Sequence, residues 1–365
     1  MRRIKRRMGM LLLLGAVIWS CTRDPRGELL VINPSFLPHE GNEHKRTWLS
    51  FYGNGVGDKL KQNNILLATA IAQYEPVSIM VKNTDNKELL TLLGNLNTHH
   101  YPIEVIESKM NTLWMRDDGP TFVLDAKGHK SGINFNFIGV EEEEQDEEQT
   151  GVLSSKMADF VITKAGAKII HSNLILNSGC FEVDGSGTAI MTESCIINDD
   201  YNPYWNKEEI EIELKLLLGL QKIIWLKGIK EVEITNVQTD FYARFVKEGV
   251  VLVHRNNDKE SDAYELTREN IKILKAATDA KGKALEVVII DAPDGIDHAN
   301  AGYLGYYLCN RALIMQTFGD AKADYKAKKV LQLAFPDRTI EEVQIDAMTS
   351  AGGNIHRATQ QEPIN

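Results

Sequence analysis

The sequence predicts an α/β protein. Short runs rich in β-branched residues recur along the chain, and amphipathic helical patterns separate them. The 365 residues are 43% hydrophobic and 25% charged, which suits a folded chain with a large core, and no Pro/Gly/Ser-rich linker divides Leu30 from Asn365. One domain over residues 30–365 is therefore expected.

In chain order, strands are expected at Val77–Val81, Ile103–Ile106, Thr121–Leu124, Ile133–Phe137, Leu174–Leu176, Thr188–Thr192, Val250–His254, Val287–Ile290 and Leu313–Thr317. Helical spacing covers Leu60–Tyr74, Lys87–Leu96, Lys207–Leu217, Arg268–Ala280 and Ala321–Ala334. The acidic run Glu141–Gln149 (EEEEQDEEQ) has no apolar face and reads as a solvated loop, with cation binding as the alternative. Inspection finds no internal repeat.

The N-terminus reads as a targeting segment. Arg2, Arg3, Lys5, Arg6 and Arg7 precede the apolar run Met8 to Trp19, which is followed by Ser20-Cys21. That order is a signal peptide over residues 1–21, too short to span a bilayer comfortably. Small Ser20 before Cys21 resembles a bacterial lipobox, so Cys21 is expected to be acylated, although Trp19 stands where the box prefers a small residue. A lipid-anchored protein of the cell envelope is expected; a cleaved secreted form and a retained anchor are the alternatives. Residues 22–29 read as a linker.

The net charge of −10 argues against a nucleic-acid surface, because phosphate contacts need concentrated Lys and Arg. A cationic small molecule or peptide suits the chain better. After export Cys180, Cys195 and Cys309 remain, too few for a disulfide framework, and they read as buried small hydrophobes. Neither His-x-x-His nor Cys-x-x-Cys occurs, so spacing indicates no metal site. "DGSGTA" lacks the strand-to-helix context of a nucleotide loop, and Gly185 and Gly187 fit a strand turn instead. No cofactor is expected.

Four segments carry organised polar groups: "LWMRDDGPTFVLD" (113–125), "LILNSGCFEVDGSGTAIMTESCIINDDYNP" (174–203), "ITNVQTDFYARFV" (234–246) and "AGGNIHRATQQEP" (351–363). In this order and spacing they resemble the agmatine deiminase and bacterial peptidylarginine deiminase family, a branch of the guanidine-modifying (pentein) superfamily. Glu40, His44, Thr47, Trp48, "IIWLKG" (223–228) and Phe318-Gly319-Asp320 add to the match, which runs from about Pro38 to Pro363. The resemblance implies a five-bladed pseudosymmetric α/β propeller with its site on the central axis. It also implies hydrolysis of a guanidinium to a ureido group and ammonia. In that chemistry a cysteine thiolate attacks the guanidinium carbon, a histidine shuttles protons and carboxylates hold the planar cation.

Carried over position by position, the resemblance gives an unusual site. The two acids fall on Asp117 and Asp240, which are present. The histidine falls on Gln238, whose amide exchanges no proton at any useful pH. A third carboxylate falls on Asn177, and the nucleophile falls on Arg357, a permanent cation. Trp114, Cys180, Asn354 and His356 are placed beside the substrate. Inherited hydrolysis is expected to be absent, with Arg357 lying between Asp117 and Asp240 as a built-in guanidinium. Other readings stay open: the two acids cap turns or pair with Arg116 and Arg244 while Arg357 sits at the surface, or the pocket takes another ligand. A relocated thiol at Cys180 would keep the enzyme active.

Overall fold

The computed structural model describes residues 21–23, 29–31, 35–53, 55–94, 99–110, 112–137, 147–229, 238–293 and 302–365. Two units are distinguished, Met1–Pro34 and Ser35–Asn365. In the first, Cys21–Arg23 pairs antiparallel with Leu29–Val31. Residues 1–20, the basic stretch and apolar run of the expected signal peptide, lie outside the described residues.

Among the described residues the second unit builds five small sheets on one plan. A first strand lies antiparallel to a second, a helix crosses over, and a third strand returns parallel to the second. A parallel return requires such a crossover. The plan is visible in Phe181–Val183, Thr188–Thr192, helix Lys207–Leu218 and Lys222–Leu226. It recurs in Ala243–Lys247, Val250–Arg255, helix Ala263–Ala276 and Glu286–Asp291. Tyr307–Cys309, Ala312–Gln316, helix Ala321–Ala334 and Thr339–Val343 repeat it. So do Thr121–Asp125, Lys130–Asn134, helix Glu147–Lys164 and Lys168–His171, with Ser35–Phe36 added at the edge.

The fifth sheet joins the two ends of the unit. Gln360–Pro363 supplies the first strand against His44–Phe51, followed by helix Asp58–Ile71, Val77–Lys82 and Ile103–Ser108. The repetition is one of topology, with no repeated sequence to betray it.

Local chemistry explains the elements. Helix Lys207–Leu218 starts at a capping box, Asn206 with Glu209, and ends at Gly219, whose φ of 68° suits a left-handed cap. Its buried Ile210, Leu214, Leu217 and Leu218 form one stripe. Two of the second strands, Thr188–Thr192 and Ala312–Gln316, are buried throughout. Each fully buried Leu or Ile there contributes roughly 1.5–3 kcal/mol. Gly185 and Gly187 sit at φ 71° and 98° in the turn before Thr188, as a strand turn demands. Among the described residues no helix is long and apolar enough to cross a membrane.

Several expectations need correcting. Leu174–Leu176 forms no strand, because the Asn202 side chain takes both backbone groups of Ile175, at 2.9 and 3.0 Å. The strand expected at Ile133–Phe137 lies at Lys130–Asn134, and Asn136 at φ 52° ends it. Of the acidic run, 141–146 lies outside the described residues, while Glu147 opens a helix that buries Met157, Ala158, Val161 and Ile162. Acidic residues suit such an N-terminus. The helices expected from Leu60 and Arg268 begin earlier, at Asp58 and Ala263.

Candidate functional site

Each first strand is entered through a single helical turn: Met115–Asp118, Ser178–Cys180, Thr239–Phe241, Gly302–Gly305 and Ile355–Ala358. Four of these turns, each with the residue just before it, carry the site residues singled out from the sequence. Local contacts fix them. Asn177 Oδ1 accepts from Gly179 N at 2.9 Å, and Asn354 Oδ1 accepts from Arg357 N at 2.9 Å, each capping its own turn. Trp114 N donates to Thr112 Oγ1 at 2.9 Å.

The glycines around the site permit close approach. A Cβ on Gly353 would lie 2.1 Å from the Trp114 ring, and one on Gly179 would lie 2.7 Å from Gln238 Oε1. Any side chain at either place would push the indole or the amide out.

Arg357 is buried, with only 8% of its surface exposed, so it is no surface residue. Its Nε donates to Asp117 Oδ2 at 2.6 Å, its Nη1 donates to Gly352 O at 2.6 Å, and its guanidinium carbon lies 4.9 Å from the Trp114 ring centre. This is the geometry of a held guanidinium: a carboxylate at one edge, an aromatic face beneath. The second oxygen of Asp117 accepts from Gln238 Nε2 at 2.8 Å, and the same nitrogen reaches Asn177 Oδ1 at 3.0 Å. Gln238 Oε1 and Asn354 Nδ2 are buried without a protein partner.

Asp240 does not share Arg357, contrary to the sequence expectation. Its Oδ2 meets His356 Nδ1 at 2.6 Å, and His356 Nε2 meets Glu40 Oε2 at 2.7 Å. Each ring nitrogen of His356 therefore faces a carboxylate oxygen. Arg244 then donates from Nη2 to Glu40 at 2.7 Å and from Nε to Glu182 at 3.0 Å, while Arg116 Nη2 lies 3.7 Å from Glu40. Arg116 and Arg244 therefore pair with Glu40 and Glu182 instead of Asp117 and Asp240. Arg116 also binds His356 O at 2.7 Å, which ties this cluster to the Arg357 turn.

Burial shapes these charges. It opposes ionisation of Glu40, yet Arg244, His356 and Arg116 hold its carboxyl well below the usual range. Glu182 has less compensation, and burial pushes its carboxyl up. Arg244 loses solvation too, but Glu40 and Glu182 raise it above the ordinary guanidinium value. Ligand atoms of Glu40, Glu182 and His356 lie within 4.8 Å of one another, a span that suits a metal ion. Arg244 already supplies a cation to Glu40 and Glu182, so the set reads as an ionic lattice.

Cys180 is neither a free thiol nor a lone hydrophobe. It forms a disulfide with Cys195, Cα to Cα 5.9 Å, while Cys309 is free and buried. Sequence reasoning missed this bond because the two cysteines lie 15 residues apart on different elements. Glu182 was missed as well. The available signal was its place in the strand Phe181–Val183, where a charge between apolar neighbours requires a partner.

The chain matches the family model described as Porphyromonas-type peptidyl-arginine deiminase over residues 36–363. Among related proteins, one of Streptomyces avermitilis assigned as an agmatine deiminase is 33% identical over 346 residues, covering 90% of this chain and 97% of its own length. A Legionella pneumophila (strain Paris) protein with the same assignment is 30% identical over 340 residues, covering 90% and 95%. The solved agmatine deiminase of Enterococcus faecalis superposes with a TM-score of 0.82 at 25% identity, covering 92% of this chain and 99% of that one. The mixed α/β fold matches such structures, and the chain belongs to the Porphyromonas-type peptidyl-arginine deiminase family of the guanidine-modifying superfamily.

Proposed function

We propose that this protein is a family member that does not hydrolyse guanidines, because its own Arg357 occupies the place where a substrate guanidinium would be held. The observation that carries the reading is the 2.6 Å bond from Arg357 Nε to Asp117 over the face of Trp114. An arginine cannot attack carbon, and loss of the nucleophile alone costs on the order of a millionfold in a serine protease. Gln238, which bonds Asp117 at 2.8 Å, takes up no proton either. The five sheets of one plan support a five-bladed propeller with these turns at its centre.

The role that remains is binding. A cationic, guanidinium-like ligand reaches Asp117 only by displacing Arg357, so agmatine or a peptidylarginine binds the wild-type protein weakly. Residues 1–21 support export and anchoring at Cys21, and a disulfide is consistent with an oxidising compartment. The relocated-thiol reading loses support, since Cys180 is bonded to Cys195 and carries no thiol in this state.

The test is direct. Purified protein is incubated with agmatine and with a peptidylarginine, and ammonia and ureido product are measured. No release above the protein-free control is expected, and turnover typical of the relatives would overturn the reading.

A further inference from the structure

The Cys180–Cys195 bond joins the turn Ser178–Cys180, which follows Asn177, to the turn Glu193–Ile196. Both ends of this tether grip the same residue. Thr239 Oγ1 donates to Cys180 O at 2.6 Å, and the same oxygen lies 2.9 Å from Thr192 N and 3.0 Å from Thr192 Oγ1. Thr239 stands between Gln238 and Asp240 in the chain. The outer end is anchored in turn, because Glu193 beside Cys195 accepts from Lys207 at 2.8 Å and from Lys227.

Cys180 Sγ also lies 3.6 Å from Asn177 Oδ1, the oxygen that receives Gln238 Nε2 at 3.0 Å. In the disulfide that sulfur has no proton to give. Reduction by a small dithiol transfers two electrons and two protons to the bond, leaves two thiols, and oxidises the reagent to its own disulfide. A new S–H donor then faces Asn177 Oδ1 and competes with Gln238 for it.

We propose that the Cys180–Cys195 disulfide is a positioning element that holds Asn177 and Gln238 against Asp117, so that breaking it loosens the Arg357–Asp117 pair. The inference deepens the functional reading above and rests on it. Both sulfurs are buried, Cys180 at 2% and Cys195 at 6% exposure, so the bond acts through the segments it ties and presents no reactive surface.

The experiment is native-state arginine modification with phenylglyoxal, followed by peptide mapping of Arg357 and Arg244. It is run on the oxidised protein, the dithiothreitol-treated protein, Cys195→Ser, and Cys180→Ala with Cys195→Ala. Alkylation without reductant is expected to leave Cys180 and Cys195 unlabelled. Breaking the bond is expected to raise the rate at Arg357 by about tenfold while Arg244 stays protected, as local opening requires. Labelled thiols at both positions in untreated protein, equal protection of Arg357 in all forms, or a parallel rise at Arg244 would each overturn the proposal. Fast modification of Arg357 in the oxidised protein would instead overturn the self-occupied reading of the site, which keeps the two failures apart.

Discussion

Two ionic clusters meet at the turns that enter the first strands, and their construction differs. Around Glu40, acids and bases alternate: Glu40, Glu182 and Asp240 face Arg244, Arg116 and His356, and Glu40 and His356 each contact two ionic partners or more. Asp117 pairs with Arg357, its second oxygen accepts from the Gln238 amide, which also reaches Asn177, and Arg357 donates in turn to the carbonyl of Gly352. The first arrangement keeps charge where charge is matched. The second matches its charge with a single cation and completes the contacts with neutral amides. A buried acid demands that its charge be matched, and one partner or several can do so.

Four experiments test that contrast. The largest effect is expected from Arg244→Met, which leaves Glu40 and Glu182 buried and facing each other. Removing one partner from such a cluster costs about 3–5 kcal/mol, readable in urea denaturation. The loss should shrink in mildly acidic buffer, because Glu182, already pushed up by burial, takes a proton first.

Reversion comes next. Arg357→Cys alone should stay inactive, whereas Arg357→Cys with Gln238→His should release ammonia from agmatine about a hundredfold faster than the single variant, the usual contribution of a general base. No gain would mean that Asn177 in place of an acid also disables the site.

Arg357→Ala should cost less than Arg244→Met, about 2 kcal/mol, because Asp117 retains the Gln238 bond. Agmatine should then raise the melting temperature of the variant and leave that of the wild type unchanged. Equal losses for the two arginines would erase the distinction between the clusters.

The smallest effects concern pH, at two histidines outside both clusters. Burial lowers the pKa of His39, whose Nδ1 accepts from Gly41 N at 3.0 Å. The unfolded chain therefore binds the proton first, and this residue withdraws stability as pH falls below 6.5. His44 is the opposite case: burial opposes its charge, but Glu75 at 3.0 Å wins and raises it. Its contribution is full below 6.5 and lost as pH rises through the folded value. Stability curves of His39→Gln and His44→Gln should diverge from wild type in acid and converge in alkali; parallel curves would refute the assignment.

Much of the fold was legible where patterns were strong. Thr188–Thr192 and Ala321–Ala334 match the strand and helix expected, since an unbroken apolar run and a clean helical stripe leave little choice. Shorter first strands such as Phe181–Val183 and Gln360–Pro363 escaped, because three or four residues carry no period and exist only against a partner. At the site, motif positions brought Asp117, Gln238, Asn177 and Arg357 to one place, but chose the wrong partner for Asp240.

Residue types and their order were enough for the family, for the α/β alternation and for the motif positions at which Arg357 and Gln238 stand. Packing was needed for the rest: Arg357 meets Asp117 while Asp240 meets His356, Cys180 meets Cys195, and residues 360–363 complete the sheet begun at His44. Asp117 and Arg357 are 240 positions apart, and no local preference reaches that far. Which opposite charges meet is set by how separate turns pack together, and by the cost of leaving any one of them buried alone.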